Sequence, residues 1–130
     1  MNINLFGLDT AESYISDLEA FLYSLNLQHV HKSYVDGKVA SLVFQVPTSG
    51  QFLTVKLPLR WHKIKKRYGL SDERAYRISC ELMCSFVENV VNQVLSGNLH
   101  IVEGFLPFLY NDKYKATLFD AMVSNEFRWG

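Results

Sequence analysis

The strongest chemical signal in this sequence is a cluster of basic side chains near its middle. Residues 60–68 combine six of them with two aromatic rings. The basic members are Arg60, His62, Lys63, Lys65, Lys66 and Arg67, and the rings are Trp61 and Tyr68. Lysine and arginine neutralise phosphate groups, and an exposed aromatic ring can stack on a nucleobase. Arg60, Lys63, Lys65, Lys66 and Arg67 are therefore candidates for binding a nucleic acid, either DNA or RNA, or another partner. The alternative is a solvated helix face that Trp61 anchors to the core.

Two histidines alternate with Val30 along a predicted strand. His29 and His31 would then lie on one side of that strand, and paired imidazoles can bind a metal ion. A third ligand would have to come from elsewhere, such as His62 or His100. No residue spacing in the sequence requires His62 or His100 to lie near this pair. We therefore interpret the histidines as polar residues on the outer face of a sheet and predict no metal site.

The candidate nucleophiles and acid–base groups lie in a long apolar segment. Cys80 and Cys84 are four residues apart, and we expect buried free thiols rather than a disulfide, a metal pair or a catalytic dyad. Glu81 and Glu88 lie about two helical turns apart, and we expect them to form a solvated stripe. The sequence contains no phosphate-binding loop, nucleophile elbow, dinucleotide fingerprint or zinc-protease motif. We therefore predict neither enzymatic activity nor a cofactor.

Aromatic residues recur towards the end of the sequence. The segment Phe105–Tyr110 either packs on the main body of the domain or, where it is exposed, forms part of a protein-binding surface. Phe127 and Trp129 are likewise expected either to pack on the main body of the domain or to be exposed. If they are exposed, they are candidates for contact with a partner or with a second copy in a homodimer.

The elements that position these groups centre on a helix between Ser71 and Gly97. Ser71 is a favourable N-cap because its hydroxyl accepts from the free amides of the first turn. Asp72 and Glu73 suit the positive end of the helix dipole, and Gly97 can end the helix in the left-handed conformation. An apolar stripe at spacings of three and four joins the caps: Ala75, Ile78, Leu82, Phe86 and Val90. This segment is the predicted core helix.

Alternating apolar and polar residues predict three strands, over 27–35, 39–46 and 51–57. Asp36 and Gly37 mark the first turn, and a three-residue loop beginning at Val35 would align Val30 with Leu42. The predicted inner face of the second strand consists of Ala40, Leu42, Phe44 and Val46. These strands form an antiparallel meander with one face on the helices.

Helical periodicity predicts further helices over 10–26, 60–68 and 113–124, with an irregular segment over 98–110. The last helix would turn Tyr114, Leu118, Ala121 and Met122 towards the core. The predicted fold is therefore a single α+β domain over residues 1–130. Its element order is α-β-β-β-α-α-α, and its three-stranded antiparallel meander packs on the long central helix.

Length and charge restrict the classes of function. The 130 residues suffice for one domain with a core, and the formal net charge of zero argues against a surface that attracts nucleic acid or membranes as a whole. The first residues lack the basic and apolar regions of a signal peptide. No apolar run approaches the roughly 20 residues that cross a bilayer. We therefore expect a cytoplasmic protein without a membrane partner.

Three short segments carry a likeness to known proteins: Leu57-Pro58-Leu59, Ala75-Tyr76-Arg77-Ile78 and Phe105-Leu106-Pro107-Phe108-Leu109. Over roughly residues 44–122 the chain resembles a group of small proteins that phages, prophages and other mobile elements encode, usually without an assigned function. The resemblance implies a phage or mobile-element setting and identifies no catalytic residue.

These observations lead to two functional hypotheses. The leading one is a non-catalytic phage-type accessory protein that binds a host or phage protein, and anti-defence inhibitors such as anti-CRISPR proteins belong to this class. The alternative is a nucleic-acid-binding accessory protein that uses the basic helix. The order helix, three strands, helix resembles that of double-stranded RNA-binding domains, which also place basic residues at the start of the helix after the third strand.

Overall fold

A computed structural model describes residues 9–124. Phe127 and Trp129, two of the predicted contact residues, lie outside the described residues. The helices in chain order are α1 (Ala11–Ser24), α2 (Trp61–Tyr68), α3 (Asp72–Leu95), α4 (Ile101–Phe105) and α5 (Leu118–Val123), with a 3₁₀ turn over Leu106–Phe108. The strands are β1 (His31–Val35), β2 (Lys38–Thr48), β3 (Gln51–Pro58), β4 (Tyr110–Asn111) and β5 (Ala116–Thr117). Strands β1, β2 and β3 form an antiparallel meander, and β4 pairs with β5. The predicted α+β fold is therefore confirmed.

The central helix begins and ends where its capping residues predict. The Ser71 hydroxyl accepts from the backbone N–H of Arg74 at 3.3 Å. Gly97 follows the helix with a φ of 80°, in the left-handed region that glycine tolerates best. Helix α1 packs on α3 through three buried side chains at spacings of three and four: Ile15, Leu18 and Leu22. Helix α3 therefore forms the centre of the helical layer.

One face of the meander closes the core, as predicted. The buried side chains on β2 and β3 include Leu42, Phe44, Val46, Val55 and Leu57. The ring of Phe44 lies 5.3 Å from that of Phe105 on α4, edge to face. Ala40, predicted on the same face, is only half-buried. The core therefore lies between this sheet face and the helices.

The first hairpin differs from the predicted one. Val35 pairs with Lys38, so the loop has two residues, and both Asp36 and Gly37 have positive φ values, 52° and 77°. This is the pattern of a type I′ turn, whose twist matches that of the strands it joins. The predicted three-residue loop is wrong. The predicted alignment of Val30 with Leu42 is also wrong, because Lys32 lies opposite Leu42.

Two backbone irregularities account for the remaining differences in the meander. The pairs Ser33–Ser41 and Tyr34–Val39 leave Ala40 as an extra residue on β2. This bulge shifts the alternation, so that Val39 and Ser41 are both buried before Leu42. Strand β1 begins at His31 rather than Leu27 because His29, with a φ of 59°, interrupts the extended backbone.

The end of the described chain departs most from the prediction. Residues 113–117 are not helical, because the Asn111 side chain accepts from the backbone N–H groups of Lys113 and Tyr114 and holds a turn between β4 and β5. Helix α5 begins only after Thr117, whose hydroxyl accepts from the N–H of Asp120. The segment predicted as irregular also contains a helix, α4, which begins with a capping box between His100 and Glu103.

Candidate docking surface

Helix α2 carries the predicted basic cluster, and a buried tryptophan anchors it. Trp61 is 4% exposed, and its ring meets that of Tyr76 on α3 at 5.2 Å and nearly at a right angle. Trp61 therefore cannot serve as a platform for a base. Gly69 ends the helix with a φ of 64°. The anchoring role of Trp61, which the sequence offered as the alternative, is confirmed.

Three basic residues lie along one side of α2. With Trp61 and Ile64 packed towards the core, the N-cap residue Arg60 and the helical residues Lys63 and Arg67 follow one another at spacings of three and four. We call these three residues the basic stripe. Lys63 and Arg67 are exposed, and within residues 9–124 no member of the stripe forms an ion pair. The stripe is therefore an uncompensated positive surface.

The other two lysines of the predicted site lie elsewhere on α2. Lys65 Nζ lies 2.9 Å from Asp72 Oδ1 at the start of α3, and this hydrogen bond lowers the pKa of the Asp72 carboxyl. Lys66 is exposed and lies beside the stripe, next to Arg67 in the sequence. Lys65, Lys66 and Arg67 all lie in the last turn, where positive charge suits the helix dipole. The five predicted basic residues therefore do not form one face.

Arg60 connects the stripe to the end of the described chain. Its guanidinium carbon lies 5.1 Å from the ring centre of Phe119 on α5 and 6.0 Å from that of Phe108. Both distances fall within the range of attraction between a cation and an aromatic ring. This contact brings the start of α2 and the start of α5 together.

Helix α5 presents apolar side chains to solvent. Phe119, Met122 and Val123 are 40%, 42% and 65% exposed, and their spacing of three and four places them on one side of the helix. We call these three residues the apolar face, and we call the apolar face together with the basic stripe the docking surface. Leu106, 44% exposed, lies on the neighbouring 3₁₀ turn that packs against α5.

The sequence prediction missed this face because it assigned the helix the wrong start and the wrong side. Leu118 and Ala121 are half-buried, as expected for an inner stripe, but Tyr114 and Met122 are exposed. Those two assignments are wrong. The spacing of Phe119, Met122 and Val123 was visible in the sequence, but only the true helix start shows which side faces solvent.

The side chains of the aromatic segment Phe105–Tyr110 show both expected outcomes: some are buried in the core and others are exposed. Phe105 is fully buried, and its ring packs edge to face against those of Phe44 and Phe86. Phe108 is half-buried beside Phe86, whereas Leu106 faces solvent. The segment therefore serves mainly the core and adds one side chain next to the apolar face.

The two cysteines are buried free thiols, as predicted. Burial raises the pKa of Cys80 to about 12 and that of Cys84 to about 11, so both remain protonated at neutral pH and are poor nucleophiles. Glu81 is not part of a solvated stripe. Its Oε2 lies 3.5 Å from Arg77 Nη1, with both side chains largely buried, whereas Glu88 is exposed.

The histidines do not form the predicted pair on one strand. His29 lies outside β1 in a left-handed conformation, although His29 and His31 both line an open groove of about 860 Å³ on the outer sheet face. Asp112 also lines that groove, and no glutamate among the described residues does. Within residues 9–124, a second groove of about 880 Å³ between α1 and the first hairpin is lined by glutamates but by no histidine. Residues 9–124 contain no group of three or more His, Cys, Asp or Glu side chains that could hold a metal ion.

The chain matches no protein-family model, no curated protein and no solved structure. The resemblance to phage and mobile-element proteins therefore stays a prediction. Across the part of the chain that the structure describes, no helix combines the length and apolar character needed to span a bilayer.

Proposed function

We propose that this protein is a non-catalytic binding protein that docks on another protein through its docking surface. The observation that carries the proposal is the apolar face of α5, whose three large side chains are exposed side by side. Exposed apolar side chains grouped in this way mark sites that a partner covers, and aromatic residues supply much of the binding energy at such sites. The phage setting, the anti-defence role and the cytoplasmic location are predictions from the sequence.

The composition of the surface favours a protein partner over a nucleic acid. A nucleic-acid backbone would pair with the basic stripe but would leave Phe119, Met122 and Val123 uncovered. Protein interfaces, by contrast, combine an apolar centre with charged groups at the rim, and both arginine and aromatic residues are enriched in them. Arg60, in contact with Phe119, lies where the two parts of the surface meet.

Site-specific photo-cross-linking tests the proposal. A photoreactive phenylalanine analogue replaces Met122 on the apolar face and, in a control protein, replaces Tyr23, which is 49% exposed on α1. Both proteins are irradiated in lysate of cells that carry the gene. We expect a discrete protein adduct from position 122 that is absent from position 23. Phe119→Ser in the same protein should reduce its yield by at least about tenfold, because the central aromatic contact is lost.

The masses of the adducts show whether the partner is another protein or a second copy of this chain. An adduct between two copies of the chain would identify the partner as a second copy and support the predicted homodimer. Equal adducts from positions 122 and 23, or no adduct from either, would contradict docking through α5.

A second candidate function, nucleic-acid binding, is favoured by one specific observation. Lys63, Lys66 and Arg67 are exposed and form no ion pair within residues 9–124, and Tyr68, 48% exposed, lies beside them. Three neutralised phosphates would give a slope of about −2 to −3 for the logarithm of affinity against that of salt concentration.

Fluorescence-anisotropy titrations against single- and double-stranded DNA and RNA, at low and physiological salt, test this candidate. Lys63→Glu/Lys66→Glu/Arg67→Glu should abolish binding. Lys65 is retained because it pairs with Asp72. Binding that survives the triple substitution would exclude α2 as the nucleic-acid interface.

A further inference from the structure

The spacing of the basic stripe is matched by acidic groups on a helical partner. Along the helix axis Arg60 and Lys63 are separated by about 4.5 Å, and Lys63 and Arg67 by about 6 Å. Carboxylates at spacings of three and four on another helix repeat at the same two distances.

The chemistry of the stripe specifies the charge of that partner. Two of its three members are arginines, whose planar guanidinium groups pair with carboxylates through two parallel hydrogen bonds. Asp72, at the start of α3, pairs with Lys65 rather than with the stripe. Among residues 9–124, therefore, no acidic side chain forms an ion pair with the stripe, and its positive charge is open to a partner.

Arg60, at one end of the stripe, indicates that the partner carries apolar side chains next to its acidic groups. Arg60 lies against Phe119, so a segment that runs along the stripe reaches the apolar face within about one helical turn. Apolar side chains of that segment would cover Phe119, Met122 and Val123. A segment with acidic residues along one side and apolar residues beside them is an amphipathic helix.

Resting on the protein-binding function proposed above, we propose that the partner docks through an acidic amphipathic helix. Its glutamates or aspartates pair with Arg60, Lys63 and Arg67, and its apolar side chains cover α5. The recognition is electrostatic along α2 and hydrophobic along α5. Oppositely charged surfaces accelerate association and fix the register, and the apolar contact supplies most of the affinity.

Two synthetic peptides test this proposal. The first is a fluorescein-labelled helical peptide that carries glutamates at spacings of three and four, with leucines beside them and in the adjoining turn. The second has the same composition with the glutamates distributed around the helix. We expect the first to bind the full chain at least about tenfold more tightly in anisotropy titrations, because only its charges match the stripe. Increasing salt should weaken its binding.

Charge-reversed proteins locate the binding site. Lys63→Glu/Arg67→Glu should weaken binding of the first peptide by at least about tenfold. Lys113→Glu/Lys115→Glu, in the turn between β4 and β5, changes the net charge equally and should leave binding within about twofold, because these lysines lie outside the stripe. Circular dichroism confirms that both variants are folded.

Equal binding of the two peptides, or equal effects of the two charge reversals, would overturn the acidic helix. Preferential binding of a double-stranded DNA oligonucleotide at physiological salt would also overturn it. If the cross-link from position 122 persisted in that case, the proposed protein-binding function would stand without the acidic helix. Absence of the cross-link would instead contradict the function itself.

Discussion

The guanidinium carbon of Arg60 lies 5.1 Å from the centre of the Phe119 ring. This contact joins the start of α2 to the start of α5, two helices that are far apart in the sequence. Helix α5 has only six residues and otherwise packs on β5 and the 3₁₀ turn. Because so short a helix is not stable by itself, its position depends on contacts of this kind.

Replacing Arg60 by alanine is therefore expected to loosen α5 while leaving the rest of the fold intact. A cation–ring contact of this exposure contributes about 0.5–1 kcal/mol. We expect amide hydrogen exchange in residues 118–123 to accelerate by about two- to fivefold. Exchange in the central part of α3 should not change. Arg67→Ala, which removes an exposed arginine of the same stripe, serves as the control. Equal acceleration in both variants would show that Arg60 does not hold α5.

Replacing Tyr76 by phenylalanine is expected to destabilise the whole domain. The Tyr76 hydroxyl is buried and donates to the carbonyl oxygen of Val39, at 3.0 Å, next to the bulge in β2. Burial also raises the pKa of this hydroxyl, so it remains a donor at all ordinary pH values. Removing it costs about 1–2 kcal/mol, which urea denaturation can measure.

The control is Tyr34→Phe, at a side chain 60% exposed on β1, which should change the free energy of unfolding by less than about 0.5 kcal/mol. Similar values for both variants would show that the hydrogen bond is not stabilising.

The sequence predicted those elements whose ends depend on local chemistry. Ser71 and Gly97 delimit α3 because a hydroxyl cap and a left-handed glycine act within one helical turn. The Asp36-Gly37 turn was located for the same reason. Its length was not, because a turn of two residues and one of three both accept an Asp-Gly pair, and the strands around it decide between them.

The candidate site was predictable only in part. The basic residues of α2 were visible as a cluster, but their division into a stripe, a lysine paired with Asp72 and a separate Lys66 depends on how the helix packs. The apolar face was hidden because residues 113–124 are too short a segment for periodicity to distinguish a turn from a helix. The contact between Arg60 and Phe119 is long-range, and no local pattern reports it.

Replacing Gly104 by alanine is expected to destabilise the protein although alanine favours helices. A Cβ at this position of α4 would lie 2.5 Å from Cγ1 of Val90 on α3. The helix preference of about 1 kcal/mol in favour of alanine is smaller than the cost of such overpacking, typically about 1–3 kcal/mol. We therefore expect a net loss of stability in chemical denaturation. In a Val90→Ala background this clash is removed. The remaining approach, 3.2 Å to Cδ2 of Leu99, needs only a small shift of that side chain, so Gly104→Ala should become neutral or stabilising. Additive effects of the two substitutions would contradict this explanation.

The buried thiols make the stability of the protein sensitive to alkaline pH. Burial raises the pKa of Cys80 to about 12 and that of Cys84 to about 11, whereas an exposed thiol in the unfolded chain has a pKa of about 8.5. The folded state therefore retains protons that the unfolded state loses. The stabilisation is present in full below pH 8.5 or so and is lost as the pH rises to about 11 for Cys84 and to about 12 for Cys80. In that range each thiol lowers the free energy of unfolding by up to about 1.4 kcal/mol per pH unit.

Urea denaturation at several pH values, compared with Cys80→Ala/Cys84→Ala, isolates this effect because the other titrating groups are common to both proteins. The wild-type curve should fall more steeply above about pH 8.5, and parallel curves would show that neither thiol has a raised pKa in the folded state.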